Sequence, residues 1–284
     1  MNKYVMRLRP VCKDIIWGGD LLKTEYNKKC DSEKLAESWE LTVRKDGMSV
    51  IDNGEYAGMT LGEYLGHSAN EDGEYDFPLL VKYIDARDDL SVQVHPNKTE
   101  LWYIVEATPD AHLVYGLKED FDEDSFRKAL ADKTLYDLLN VVNVKSGEYY
   151  LLPSGQIHAI CGGILIAEFQ QNSNTTYRVW DYDRGREIHT EQAIETMKAL
   201  KVNGDFSGMS ESEYFKVEKF DFNDGVIANS DDFIHVMCIS GCGKIGCAEV
   251  NKGDSCFIPA DCGDIEVKGE MTLMLCHPRY PENK

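Results

Sequence analysis

Two stretches of this chain, "LSVQVHPNKTELWYI" from Leu90 to Ile104 and "KSGEYYLLPSGQIHAI" from Lys145 to Ile160, carry the residue types that bind metal. In an extended strand alternate residues share a face, so Ser91, Gln93 and His95 point the same way. Glu100 opens the next strand after a short loop, and His158 arrives from the second stretch. An amide oxygen, two imidazoles and a carboxylate make a mixed nitrogen and oxygen donor set for a divalent cation such as zinc. Three or four protein ligands leave a position for water or substrate.

The elements that must position these groups are mostly strands. Segments such as "FPLLVKYIDA", "LSVQVH", "LWYIVEA", "HLVYGL", "YYLLP", "GILIAEFQQ", "TTYRVWDY", "DFIHVMCIS", "CFIPA" and "EMTLMLCHP" are short, apolar and bounded by turn residues. That pattern predicts an all-β antiparallel sandwich or barrel. Between Tyr150 and Ile160 a Pro-Ser-Gly turn separates two strands, Pro153 presetting φ and Gly155 accepting φ > 0. Helical spacing is confined to "TEQAIETMKALKV", with Thr190 as N-cap and Ala193, Ile194, Met197 and Leu200 on one face, and to an insertion around residues 120–142. The spacing Gly147…Pro153 recurs as Gly253…Pro259, with Asp261 and Asp264 in place of Gly155 and His158. Two β-domains follow, 1–203 and 204–284, divided in the Gly/Ser/Asp-rich "KVNGDFSGMSES".

Thirty basic against fifty acidic residues among 284 give a net charge of −20. That field repels nucleic acid and anionic lipid, so neither is an expected partner. A phosphorylated substrate requires a local cluster of Lys and Arg. The N-terminal "MNKYVMRLRP" has no apolar core of signal-peptide length, no stretch approaches eighteen consecutive apolar residues, and nine cysteines without a small-domain framework suit a reducing compartment. A cytoplasmic protein, monomer or homodimer, is expected. "GCGKIG" from Gly241 to Gly246 fits the dinucleotide pattern but sits between strands, which predicts a hairpin. Cys238, Cys242 and Cys247 match no zinc spacing and read as structural; His235 and His277 have no partner motif. The acidic run Glu119 to Asp124 reads as solvated loop.

The joint pattern Gln-x-His-x4-Glu and Gly-x5-Pro-x-Gly-x-x-His resembles the two motifs of the cupin barrel, with Gln93 at the place of the usual first histidine and Gly162 where an Asn often follows. "IWGG" at Ile16, "ESWEL" at Glu37, "LSVQVHP", "KTELWYI", "PSGQIHAI" and "QQNSNTTYRVWDYDR" occur in the order found in type I mannose-6-phosphate isomerases, in their short bacterial form. The resemblance runs from Ile16 to Arg184 and departs at one place, where only Asn97 separates Pro96 from Lys98. It implies two cupin-type jelly-roll barrels, the first holding zinc through Gln93, His95, Glu100 and His158, the second degenerate and without ligands.

The implied reaction moves a proton between C1 and C2 of an open-chain hexose phosphate through an enediol, interconverting mannose 6-phosphate and fructose 6-phosphate. A Lewis-acidic cation with a single carboxylate ligand would stabilise the developing oxyanion. Lys98, two residues before Glu100, is placed to act as acid, base or donor. Arg178 matches the family's active-site arginine and suits charge stabilisation rather than proton transfer. Ser91, Lys98 and Arg178 are the expected substrate contacts, whereas Arg184 and Arg186 are able to pair with Asp181 or Asp183. Trp17 and Trp39 read as core, and Glu37 as pocket or core. Two other functions remain compatible with the residues: a cupin oxygenase, disfavoured by Gln93 in place of a histidine, and a silent sugar-binding cupin.

Overall fold

A computed structural model describes residues 2–31, 34–67 and 76–281. Antiparallel strands dominate and helices are few and short. The β-branched and aromatic runs form the strands, and Leu79–Ala86, buried along its whole length, is mostly apolar rather than alternating, with Lys82 and Asp85 as its two charged residues. Among the described residues no helix is long and apolar enough to cross a membrane.

The chain divides into two compact units, one of residues 16–19 and 84–209, the other of residues 1–15, 20–83 and 210–284. The change of unit after 209 falls within the Gly/Ser/Asp-rich stretch 201–212, and residues 1–15 and 20–83 group with the C-terminal strands. Strand pairing is the reason: Met6–Arg9 runs antiparallel to Ser255–Ile258, with Met6 opposite Phe257.

In the unit of residues 84–209, one sheet runs in the order Leu139–Asn143, His112–Leu117, His158–Ile160, Val92–Val94, Tyr177–Trp180. Its register places His158 opposite Gln93 on one side and Arg178 opposite Gln93 on the other. A facing ladder pairs Tyr149–Leu152 and Ile164–Gln171 with Glu100–Ala107, and sets Gln170 opposite Glu100. Val92, Val94, Val114 and Val179 pack with Phe126, Ala193, Ile194 and Met197 of the helices behind the first sheet.

In the other unit a seven-stranded sheet runs Phe215–Ile227, Ile265–Pro278, Ile234–Ile245, Ser255–Ile258, Met6–Arg9, Val50–Ile51, with Ala248–Asn251 paired to Ile234–Ile245. "GCGKIG" ends the strand Ile234–Ile245 and turns at Gly246 into Ala248–Asn251, so it is a hairpin as expected. The repeated turn keeps its backbone in both copies. Gly147 and Gly253 share φ near 95 and 93, and Asp261 holds φ 52 where Gly155 holds φ 92. Cys238 is buried, Cys242 and Cys247 are exposed, and Trp17 and Trp39 lie in the core.

The helical expectations need correction in three places. The insertion is a helix only over Glu123–Ala131, capped by Asp122; after Lys133, at φ 58, comes a 3-10 turn and then the strand Leu139–Asn143. There Val141 pairs with Val114 and Val142 with Leu113 of the strand His112–Leu117, and sheet pairing overrides helix spacing. Thr190 is the first helical residue rather than the cap; His189 occupies the cap position, its Nδ1 accepting from the Arg178 amide. Leu200 is exposed, because the helix ends there and Lys201 turns left-handed.

Candidate metal centre

Gln93, His95 and His158 project from the first sheet toward Glu100 at the start of the facing ladder. His95 Nε2 lies 3.4 Å from Glu100 Oε1 and His158 Nε2 lies 3.7 Å from Oε2. Gln93 presents its amide nitrogen, Nε2, 3.4 Å from His95 Nε2 and 3.5 Å from His158 Nε2, while its oxygen accepts from Ser91; turning the amide over brings the oxygen to the histidines for a cation. His95, Glu100 and His158 each offer a ligand atom within 4.8 Å of the others, and all three are buried.

The loop from His95 to Glu100 is tied down on three sides. The Gly155 amide donates to the His95 carbonyl at 2.8 Å, the Thr99 amide to Gln171 Oε1 at 2.9 Å, and Ser173 Oγ to Asn97 Oδ1 at 2.8 Å. The Pro-Ser-Gly turn therefore serves both histidines, holding the backbone of His95 and starting the strand of His158.

Backbone carbonyls settle the imidazole tautomers. His95 Nδ1 is 2.8 Å from the Thr175 carbonyl and His158 Nδ1 is 2.9 Å from the Gln156 carbonyl. A carbonyl only accepts, so each Nδ1 carries the proton and each Nε2 presents a lone pair inward. Burial holds His158 below the ordinary histidine range, which favours that neutral ring. Two lone pairs facing a carboxylate repel one another, and a cation among them reverses the sign. The donor set thus fits a divalent metal of borderline softness.

Lys98 and Arg178 flank this cluster. Lys98 Nζ sits 2.5 Å from Glu100 Oε1, both side chains buried. Arg178 donates from Nε to Ser91 Oγ at 3.3 Å and from Nη1 to the Glu187 carbonyl at 2.8 Å. Ser91 in turn donates to Gln93 Oε1 at 3.3 Å. Burial, followed by the nearby charge of Arg186, lowers the pKa of Arg178 from its usual value. Ser91, Gln93, His95, Lys98, Glu100, His158 and Arg178 are thus brought together, whereas Arg184 and Arg186 both turn away to bind Asp181. Glu37 accepts from Trp39 Nε1 at 2.6 Å in the other unit.

The sequence reading missed three neighbours. Trp102 Nε1 donates to Glu168 Oε2 at 2.8 Å, and its ring meets His158 edge-on at 5.3 Å. Gln170, fully buried opposite Glu100, has no hydrogen-bond partner on Oε1 among the described residues. The signal was present in "GILIAEFQQ": two polar residues at period two within a strand otherwise fit for a core.

Comparison with known proteins accords with this geometry. The chain matches the family description "Phosphomannose isomerase type I, catalytic domain" over residues 5–115 and "Mannose-6-phosphate isomerase, cupin domain" over residues 207–278. It is 33% identical over 309 residues to the mannose-6-phosphate isomerase ManA of Bacillus subtilis, covering 95% of this chain and 97% of that protein. The mannose-6-phosphate isomerase of Streptococcus mutans is 32% identical over 299 residues, covering 92% and 94%. The crystal structure of the mannose 6-phosphate isomerase from Bacillus subtilis superposes with a TM-score of 0.87 at 31% identity, covering 96% of this chain and 99% of that one. With this agreement over nearly full length, the chain belongs to the type I mannose-6-phosphate isomerases and is an isomerase.

Proposed function

We propose that the chain interconverts mannose 6-phosphate and fructose 6-phosphate with one divalent cation, zinc by its donor set, held by Gln93, His95, Glu100 and His158 in a metal-binding jelly roll. The observation that carries this reading is the pair of imidazole lone pairs aimed at one buried carboxylate. When bound, the cation supplies Lewis-acid charge that stabilises an oxyanion developing on the sugar.

The remaining roles fall to the chain's own groups. Lys98 Nζ, buried against Glu100, is the proton carrier in this reading: as the amine it would take the proton from one of C1 and C2 and, as the ammonium so formed, return it to the other. Arg178 cannot give up a proton near neutral pH, so it orients the enediolate oxygens and offsets their charge. Ser91, between Arg178 and Gln93, contributes a hydroxyl on the substrate side with Lys98. The site works in the cytoplasm on a free sugar phosphate.

A coupled assay with mannose 6-phosphate, before and after chelation, tests the proposal. Turnover should vanish on chelation and return with zinc or manganese, while circular dichroism stays unchanged. Full turnover by metal-free protein would refute the metal's role, and collapse of the fold on chelation would make the metal structural. Oxygen uptake, or sugar binding without turnover, would favour the oxygenase or the silent binder instead.

A further inference from the structure

A second buried ionic knot lies three residues beyond Arg178. Asp181 is only 3% exposed, and it takes two guanidiniums. Arg184 Nη2 donates to Oδ1 at 2.8 Å, Arg186 Nε donates to Oδ2 at 2.9 Å, and Arg186 Nη2 closes on Oδ1 as well. Arg184 also donates from Nε to the Asp181 carbonyl at 3.1 Å and from Nη1 to the Asp89 carbonyl at 2.7 Å. Its guanidinium lies 5.0 Å from the centre of the Tyr182 ring.

The backbone spanned by this knot is wound left-handed at Tyr182 (φ 54), Asp183 (φ 57) and Gly185 (φ 81). Two successive non-glycine residues in that region persist only where surrounding contacts over-determine them. The result is a tight return of the chain. Residue 187 comes back so that its carbonyl accepts from Arg178 Nη1 at 2.8 Å. Two residues later the His189 amide donates to the Arg178 carbonyl at 2.7 Å, and the Arg178 amide donates to His189 Nδ1 at 3.2 Å. Both the backbone and the guanidinium of Arg178 are therefore held by residues that follow the Asp181 knot.

We propose that Asp181 is a positioning residue for Arg178, acting through the 181–187 loop and through its claim on Arg184 and Arg186, which keeps those two cations away from Ser91. The sequence signal is the run "RVWDYDRGRE", in which one acidic residue is followed at three and five positions by arginines. This inference rests on the role in isomerisation given to Arg178 above.

Steady-state kinetics with mannose 6-phosphate on the zinc-loaded full chain separate the two. Asp181→Asn should lower kcat by roughly ten- to a hundredfold, the scale of a misplaced group, with KM within about threefold. Bound zinc per chain should not change, because the four ligands lie on other strands and loops. In an Arg178→Lys background, which cannot reproduce the Nη1 contact to the Glu187 carbonyl, Asp181→Asn should change kcat by less than about twofold, since the two act as a unit. Asp181→Glu should recover part of the loss. Arg127→Ala, which breaks the bidentate pair with Glu191, should leave kcat within about twofold.

An equal fall of kcat in both backgrounds would overturn the proposal, as would wild-type kcat in Asp181→Asn. Wild-type kcat in Arg178→Lys alone would instead remove the role given to Arg178, a different failure with its own signature. Where Asp181→Asn does not fold, Arg186→Gln removes part of the knot and leaves the Arg184 contact. The same non-additivity with Arg178→Lys is then expected from a fall of roughly fivefold, and additivity would refute the idea.

Discussion

Glu100, His158 and Lys98 in the unit of residues 84–209, and Glu40, His235 and Lys28 in the other unit, are the same three residue types, buried in both places. Each lysine lies on its carboxylate, at 2.5 Å for Lys98 and 2.6 Å for Lys28. The difference is in what surrounds that pair. Glu40 accepts from Ser38 Oγ at 2.6 Å and Ser255 Oγ at 2.9 Å, and Lys28 also donates to the Gly253 carbonyl. Donors ring the carboxylate, and the ion pair is complete as it stands. Around Glu100 stand two imidazoles whose Nδ1 protons are already committed to carbonyls, so both turn an Nε2 lone pair toward the carboxylate. Burying a histidine and a glutamate together therefore does not by itself make a candidate metal site; what sets the Glu100 cluster apart is the tautomer fixed by the carbonyl behind each ring.

The largest effect separating the two interiors is expected from their histidines. His158→Ala removes one ligand and should weaken zinc binding by at least about a thousandfold, with turnover falling below detection, as measured by metal titration and the coupled assay. His235→Leu should leave both quantities unchanged, because neither ring nitrogen of His235 has a hydrogen-bond partner among the described residues. Loss of zinc in His235→Leu, or its full retention in His158→Ala, would erase the distinction drawn above.

His235 carries a smaller and different consequence. Burial, and then the charge of Lys28, pushes its pKa down to about 3. The folded-state value lies below the unfolded one near 6.5, so the unfolded chain takes up the proton first as pH falls. Stability is then fully present above pH 6.5 and is lost toward pH 3, by roughly 1.4 kcal/mol per unit once the unfolded ring is protonated. Urea denaturation at several pH values should show His235→Leu with a slope flatter by about that amount between pH 6 and 4. An unchanged slope would mean that the ring is protonated, or partnered, in the folded protein.

The cluster of the candidate metal site was legible in the sequence because its side chains obey strand periodicity and lie beside turn residues. Gln93 and His95 alternate along one strand, Glu100 opens another, and the Pro153-Ser154-Gly155 turn marks His158. Arg178 was legible only through resemblance, since nothing in its spacing says that it lies across the sheet from Gln93. What was not legible depends on backbone groups or on distant pairing. The carbonyls of Thr175 and Gln156 have no side-chain signature. The strand Leu139–Asn143 carries leucine and valine at spacings that also suit a helix, and only its pairing with His112–Leu117 decides. The pairing of Met6–Arg9 with Ser255–Ile258, across most of the chain's length, likewise has no local signal.

The smallest expected effect concerns the turn that the two units share. Gly155, at φ 92, precedes His158 by three residues, and Asp261, at φ 52, stands at the equivalent place before Asp264. Any Cβ on Gly155 would meet Leu200 Cβ at 2.7 Å in addition to the strained φ. Gly155→Ala should therefore cost about 1–2 kcal/mol and lower kcat several-fold by shifting His158. Asp261 already accepts the left-handed backbone, as aspartate does more readily than most residues, and its side chain is exposed. Asp261→Gly should then move stability by under about 1 kcal/mol in either direction, relief of φ strain being offset by a more flexible unfolded chain, and should leave kcat unchanged. Differential scanning calorimetry and the isomerase assay on the two variants provide the check. If Asp261→Gly lowers kcat as much as Gly155→Ala does, the turn matters to the reaction independently of the histidine that follows it, and the sequence repeat would mark a second functional element instead of a scaffold reused without its ligand.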